Sequence, residues 1–514
     1  MILPKPLSER RPFLNGWLSF LLSGRGVFVF WICFGFAHAI LRLNISRALS
    51  LDDSRASELV QEFALGYQER QPPLYEWLLW CVQRLFGPEI ESHLVVRYTL
   101  IAAIGLACYG AVRAALKDER WAAAASISLA MSFPVGWSFH EWGTQTILLC
   151  VACFATLHAA INWLEKPSIR AALWLGGAVG LGFMSKFSYP LMLGGLVIAC
   201  LNMPKLRHRL ADKRLFLSFA VAFLICLPYL YWLAQVHGDV VHAIERTMIA
   251  QEYPHWRRAL IGLAKLLKSL LLFLLPWLAF IVAVAPQAFG FGPASAPSAG
   301  IAERLTLRTM IATAILVAIG IVAIGATNIA ERYMHVVLMI APVYVFARIA
   351  RFDPQGFTLR PLAVLSLVVA LAVLGIRVLA TTDNIFAKRA DRLSQVPFHG
   401  LALALEGRGI ERSTVVTPDV RDAGNLRSFL PHLRVIALNS FRKQNPPQRR
   451  GNDGACWLIY NALHPGEREA IEALGLHPGD LQGIEVNPPA SGFAAPRRGL
   501  WFLGKLDPNS PVCR

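Results

Sequence analysis

Long apolar runs separated by short charged or Pro/Gly-rich segments recur along the chain from residue 26 onward. A helix needs about 20 predominantly apolar residues to cross roughly 30 Å of hydrocarbon. By that measure the pattern predicts eleven spans, at approximately 26–45, 94–115, 121–138, 144–163, 171–186, 188–203, 215–236, 259–285, 308–326, 334–348 and 361–381. Several are short or closely joined, so the predicted class is a polytopic α-helical membrane protein of about 11 to 13 transmembrane helices. Between the first two spans lies a longer loop, 47–93, with two amphipathic stretches at about 54–66 and 73–86. The second begins where Pro72-Pro73 presets a helix N-terminus, and Trp77, Leu78, Trp80, Leu85 and Phe86 suit a helix lying in the membrane interface.

After about residue 382 the pattern changes. The tail is more polar and alternates short apolar runs with turn signals, which predicts a small α/β domain with an open sheet. Predicted strands are Arg412-Ser-Thr-Val-Val-Thr-Pro, Arg434-Val-Ile-Ala-Leu, Cys456-Trp-Leu-Ile-Tyr and Gly499-Leu-Trp-Phe-Leu-Gly. A helix is predicted from Pro465 to a C-cap at Gly475. The chain thus divides into a transmembrane domain, 1–381, and a soluble domain, 382–514.

Composition agrees with the membrane reading. Hydrophobic residues make up 55% and charged residues 16%, with a mean hydropathy of +0.46, well short of the quarter charged residues usual in soluble enzymes. Disorder, collagen and a small disulfide scaffold are excluded. The net charge of +17 is explained by basic loops that orient the spans rather than by nucleic acid. If the N-terminus, with Lys5, Arg10, Arg11 and Arg25, is cytoplasmic, so are Arg113/Lys117/Arg120, Lys166/Arg170, Lys205/Arg207/Arg209/Lys213/Arg214, Arg304/Arg308 and Arg348/Arg351/Arg360. An odd number of spans then places the tail on the outer, oxidising side, where Cys456 and Cys513 are candidates for a disulfide. Ala37-His38-Ala39 has the form of a signal-peptidase site, but the run reads better as an uncleaved anchor. Cys150 and Cys153 have CxxC spacing within an apolar span and read as buried small hydrophobes.

Candidate chemistry collects on the predicted outer face. Asp52 and Asp53 follow the first span directly, and an N-cap role for the pair is the bland alternative. The same face carries His140-Glu141, Lys186 with Tyr189, Glu245/Arg246, the segment from Glu252 to Arg258, and Glu331-Arg332-Tyr333-Met334-His335. Lys186 stands out because it interrupts the apolar passage Gly182-Phe-Met-Ser-Lys-Phe-Ser-Tyr-Pro. At mid-bilayer it would cost on the order of 3 kcal/mol.

With these residues in place, the chain resembles GT-C type membrane glycosyltransferases of the branch that includes protein O-mannosyltransferases and the bacterial aminoarabinose transferase of lipid A, a family 39-like group. The resemblance rests on Asp52-Asp53 where the family usually has Asp-Glu, Gln71-Pro72-Pro73-Leu74-Tyr75, the Gly182–Lys186 segment, Arg332-Tyr333, and a C-terminal domain outside the membrane. Many relatives have a charged residue immediately before Pro-Pro, where this chain has Gln71 after Glu69 and Arg70. The Pro-Pro-Leu-Tyr form looks closest to alphaproteobacterial members, including transferases that add uronic acids to lipopolysaccharide core or lipid A.

The resemblance implies a GT-C fold and a multi-pass protein of the bacterial inner membrane with a periplasmic C-terminal domain. It implies an inverting transferase that moves a sugar from a polyprenyl-phosphate donor to a glycolipid acceptor among the membrane lipids. Asp52 is the expected general base, with Asp53 or Glu141 orienting the acceptor or a cation. Lys186, Arg332, Arg257 and Arg258 are candidates to hold the leaving phosphate, with Tyr333 as a hydrogen-bond donor. His140, Glu69, Arg70, Gln71 and Tyr75 are candidates for positioning the acceptor. No ligand spacing demands a cofactor, although Asp52, Asp53 and Glu141 offer oxygens to Mg²⁺ or Mn²⁺. The alternatives are protein acceptors, or a transporter of a lipid-linked sugar, which would carry polar or broken helices at mid-membrane.

Overall fold

A computed structural model describes residues 16–236, 248–249, 253–290, 299–382, 396–440, 442, 455–461, 474, 481–486 and 499–513. Among them, eight helices are long and apolar enough to cross a membrane, and two bent pairs raise that to as many as ten. The eleven predicted runs resolve into eight full-length spans, two bent pairs and one shorter apolar helix.

In chain order the helices that matter below are α1 (Gly24–Ile45), α2 (Leu51–Leu59), α3 (Leu74–Phe86), α4 (Ile90–Leu116), α5 (Glu119–Ser128), α6 (Thr144–Glu165), α7 (Ile169–Ser185), α8 (Tyr189–Leu201), α9 (Leu215–Gln235), α10 (His255–Val284), α11 (Ile301–Ile324), α12 (Ala341–Phe352) and α13 (Leu359–Thr382). The bends have local causes. After α5 the chain stops at Ser132, whose hydroxyl caps a new short helix containing Pro134, and the axis turns by 62°. After α8, Pro204 restarts the helix at 109°.

Three threonine side chains inside the bundle are satisfied by their own helix. Thr306, Thr309 and Thr313 each donate to the carbonyl four residues back on α11, at 2.8–2.9 Å, so their hydroxyls lie buried without unpaired donors. Phe216, Phe219 and Phe223 on α9 and Leu267, Leu271 and Leu275 on α10 remain exposed, which is the lipid-facing surface of such a bundle.

Beyond α13 lies a sheet domain containing α14 (Phe398–Glu406), α15 (Val420–Phe429) and strands β1 (Thr414–Thr417), β2 (Arg434–Ala437), β3 (Cys456–Asn461), β4 (Gln482–Val486) and β5 (Gly499–Leu506). Strand order is β2-β1-β3-β5-β4. β1 runs parallel to β2 and β3, while β5 is antiparallel to both β3 and β4, so the sheet is mixed. All four predicted strands are present. The fifth, β4, escapes the sequence pattern because only Ile484 and Val486 are apolar and buried in an edge strand of five residues. The predicted helix from Pro465 to Gly475 lies largely outside the described residues. The domain docks on the first loop, where α15 packs along α2.

Cys456 and Cys513 form a disulfide across 57 residues of sequence, with a Cα–Cα separation of 6.1 Å. The other seven cysteines are free, Cys150 and Cys153 among them, both buried. Replacing the bridged pair by serine should lower the stability of the sheet domain by about 2–4 kcal/mol. Thermal unfolding of the purified protein, with non-reducing peptide mapping of the wild type to verify the bridge, checks this.

Candidate active site

The site begins with the N-terminus of α2. The predicted amphipathic stretch starts at 54, but the helix starts at Leu51, and its cap is Ser50 rather than the aspartate pair. The Ser50 hydroxyl accepts from the Asp53 N–H and donates to Asp53 Oδ2 at 2.7 Å. Both aspartates therefore sit in the first helical turn, where the helix dipole favours negative charge. Successive helical positions lie about 100° apart, so the two carboxylates face different surroundings.

Asp53 faces inward. Arg97 Nη2, from α4, donates to both of its carboxylate oxygens at 2.7 Å, and Arg97 Nη1 donates to the His140 carbonyl at 2.9 Å. His93 Nδ1 stands 3.6 Å away, and Gln83 Nε2 lies 3.2 Å from His93 Nε2. Burial alone would raise the Asp53 carboxyl, but Arg97 and then His93 and Ser50 hold it well below the usual carboxylate range. Asp52 faces outward, with its side chain 35% exposed against 8% for Asp53. The Gly143 N–H donates to Asp52 Oδ2 at 3.4 Å, and Arg55 stands 3.8 Å away. One carboxylate is locked and the other is available.

The opposite wall is the first turn of α6. Gly143 precedes it with a φ of +107°, a conformation glycine adopts without steric penalty. From this turn Gly143 reaches Asp52, Gln145 Nε2 donates to Glu76 Oε1 at 2.6 Å, and Thr146 Oγ1 accepts from Lys186 Nζ at 2.7 Å. Lys186 occupies the break between α7 and α8 in extended backbone. The charges of both Asp52 and Arg332 act on Lys186. Arg332 and Tyr333 form a short turn in which the guanidinium lies over the ring, 5.3 Å from its centroid, and His335 Nδ1 meets the Arg332 carbonyl at 2.5 Å. The first turn of α6 thus ties Asp52, through Gly143, and Lys186, through Thr146, to positions three residues apart.

Other predicted residues are placed differently. Glu141 pairs with Arg377 at 3.1 Å, and His140 stacks on His38 at 3.8 Å between ring centroids. Arg257 lies over the Tyr253 ring, and Arg258 packs against Gly325 at the C-terminus of α11. Tyr75 is buried between the charges of Asp52, Asp53, Glu76 and Arg97. Gln71, half-buried, precedes α3 with its Oε1 unpartnered. Glu69 and Arg70 are half-buried in the same turn. Glu245, Arg246 and Glu252 lie outside the described residues. Among the described residues no metal-ligating group of three His, Cys, Asp or Glu forms, and Asp53 and Glu141 are already engaged by Arg97 and Arg377.

Sequence reasoning passed over Arg97, Glu76, Gln145 and Thr146. Arg97 carried a usable signal, since an arginine near the start of an apolar span calls for a carboxylate partner.

Comparison with known proteins follows the same lines. Residues 70–232 match the family model described as dolichyl-phosphate-mannose-protein mannosyltransferase. The chain is 27% identical over 411 residues to the lipopolysaccharide core galacturonosyltransferase RgtA of Rhizobium johnstonii, covering 77% of this chain and 79% of that one. RgtB of the same organism, also a lipopolysaccharide core galacturonosyltransferase, is 27% identical over 407 residues, 78% and 80% of the two chains. The lipid A galacturonosyltransferase RgtD of that organism is 28% identical over 208 residues, 40% and 41%. Among solved structures, ArnT from Cupriavidus metallidurans bound to undecaprenyl phosphate superposes with a TM-score of 0.59 at 15% identity, covering 93% of this chain and 98% of that one. The chain has the GT-C fold, and its resemblance to the branch of ArnT and the protein mannosyltransferases holds.

Two predictions concern the buried carboxylates. Asp53→Asn would leave Arg97 buried without its counter-charge and should destabilise the protein by about 3–5 kcal/mol, measurable as a lower thermal midpoint in detergent. Because the folded Asp53 carboxyl titrates below its unfolded value of about 4, this contribution is complete at neutral pH and fades only as pH falls below that value. Glu76 behaves oppositely: burial pushes its carboxyl up to about 7. Its contribution to stability therefore declines as pH rises from about 4.5 to 7, and Glu76→Gln should raise the thermal midpoint at pH 8 while changing it little at pH 5.

Proposed function

We propose that this protein is an inverting glycosyltransferase of the bacterial inner membrane. It moves a sugar from a polyprenyl-phosphate donor to lipid A or the lipopolysaccharide core at the periplasmic face. Residues 1–381 form the transmembrane domain and 382–514 the periplasmic domain. The observation that carries this reading is the arrangement around the first turn of α6, where a half-exposed Asp52 and the ammonium of Lys186 are each held by neighbouring residues. The fold likeness to an ArnT bound to undecaprenyl phosphate supports the donor class. The names of the Rhizobium johnstonii relatives support a lipopolysaccharide acceptor and a galacturonosyl group.

The chemistry divides between the two sides of the anomeric carbon. Asp52 takes the proton of the acceptor hydroxyl as its oxygen attacks that carbon. The bond to the phosphate oxygen breaks and its electron pair leaves with the polyprenyl phosphate. Lys186, anchored by Thr146, and Arg332, held over Tyr333, neutralise that departing charge. Attack opposite the leaving phosphate inverts the anomeric configuration.

Asp52→Asn should lower transfer by about 10²–10⁴-fold while leaving expression, membrane insertion and binding of undecaprenyl phosphate intact. Lys186→Ala should weaken undecaprenyl phosphate binding as well as transfer. Mass spectrometry of lipid A and core oligosaccharide from cells carrying each variant reads the first effect. A fully active Asp52→Asn protein would remove the general-base assignment.

A further inference from the structure

The carboxylate assigned above as base lies at the start of a nine-residue helix, α2, set in a loop rather than in a membrane span. Most of what fixes this helix from outside comes from the sheet domain. Asn425, on α15 and fully buried, bridges the segment that holds Asp52 from both sides. Its Oδ1 accepts from the Leu49 N–H at 2.7 Å, three residues before Asp52. Its Nδ2 donates to Ser54 Oγ at 2.9 Å, two residues after Asp52, and to the Arg421 carbonyl of its own helix at 2.8 Å, with the Leu49 carbonyl 3.4 Å away. Its neighbour Gly424 lets the two helices meet at their backbones, since a Cβ there would stand 2.1 Å from the Ser54 carbonyl oxygen.

Further contacts run along the same helix. Arg427 Nη1 donates to the Ser57 carbonyl at 2.6 Å and to Gln83 Oε1 at 2.8 Å. Gln83 in turn meets His93, which faces Asp53. At the far end, the Gln61 amide exchanges two 2.9 Å hydrogen bonds with the backbone of Val435, extending the outer edge of β2 by a side chain. Glu58 accepts from Ser440 at 2.8 Å and faces Arg442 at 3.6 Å.

We propose that Asn425, seated by Gly424, is a positioning residue for Asp52, and that the sheet domain serves catalysis by clamping the start of α2 at Leu49 and Ser54. This rests on the reading of Asp52 as base. A polar clamp of this kind holds direction as well as distance, because each hydrogen bond weakens steeply off-axis. Misplacing a reacting group by about 1 Å can cost on the order of 100-fold in rate. The clamp does not touch Lys186 or Thr146, so it should act on the rate of transfer and not on the donor phosphate.

The test uses the full chain in detergent or nanodiscs. Asn425→Ala should lower kcat by about 10–100-fold, with KM for the polyprenyl-phosphate sugar and affinity for undecaprenyl phosphate within about twofold of wild type. Hydrogen exchange over residues 49–54 should quicken in the same variant. Gly424→Ala, which pushes the helices apart, should reproduce both effects. A folded Asn425→Ala protein with wild-type kcat overturns the proposal, whether or not exchange changes. Equal losses in kcat and in undecaprenyl phosphate binding also overturn it, since they would mark a general structural role. If Asp52→Asn proves active, the base assignment fails on its own, and the exchange measurement still reports whether the clamp exists.

Discussion

The buried ion pair of Asp53 and Arg97 is the contact on which the geometry of the site depends. Removing two charges from water costs several kcal/mol each, and only close, hydrogen-bonded pairing offsets it. Arg97 meets that condition by binding both Asp53 oxygens and the His140 carbonyl. One guanidinium thereby joins three elements: the loop helix α2, the span α4, and the bent segment that leads into α6. Any shift of α2 relative to α4 would separate these charges in a low-dielectric interior, so the pair penalises motion more strongly than apolar packing could. Asp52, one residue away, is held on this side through Asp53 and on the other through Asn425 at Leu49 and Ser54, and it keeps its own exposure.

That division of labour was hidden in the sequence. Asp52 and Asp53 are chemically identical neighbours, and only the phase of the helix distinguishes them. The phase follows from Ser50 acting as cap, which moves the helix start three residues ahead of where the apolar periodicity puts it. The long spans were legible because some twenty consecutive apolar residues leave few alternatives. The breaks at Ser132 and after Asn202 were less so, since Pro134 and Pro204 signal a stop without giving its angle. Lys186 was conspicuous against its apolar surroundings, whereas its partner Thr146 looks like any threonine in a span. In the tail, strands with apolar residues on both faces were readable, and the edge strand Gln482–Val486 was not.

The two parts of the molecule meet through polar side chains more than through apolar burial. Asn425, Arg427, Gln61 and Glu58 each bond backbone or side-chain atoms across the junction, and among the described residues Ala48 of the loop joins the apolar core of the sheet domain. Such a junction defines orientation closely and contributes modest net stability, because each exchanged hydrogen bond is worth about 1 kcal/mol.

The junction also orders events in time. Ser54 and Asn425 are 371 residues apart in the chain. At about 5–20 residues per second, the ribosome makes α2 on the order of 20 to 70 seconds before α15. During that interval the acidic helix has its membrane neighbours but not its outer clamp. The spans made before α15 are thus synthesised while the start of α2 still lacks Asn425, the partner that meets it from the sheet domain.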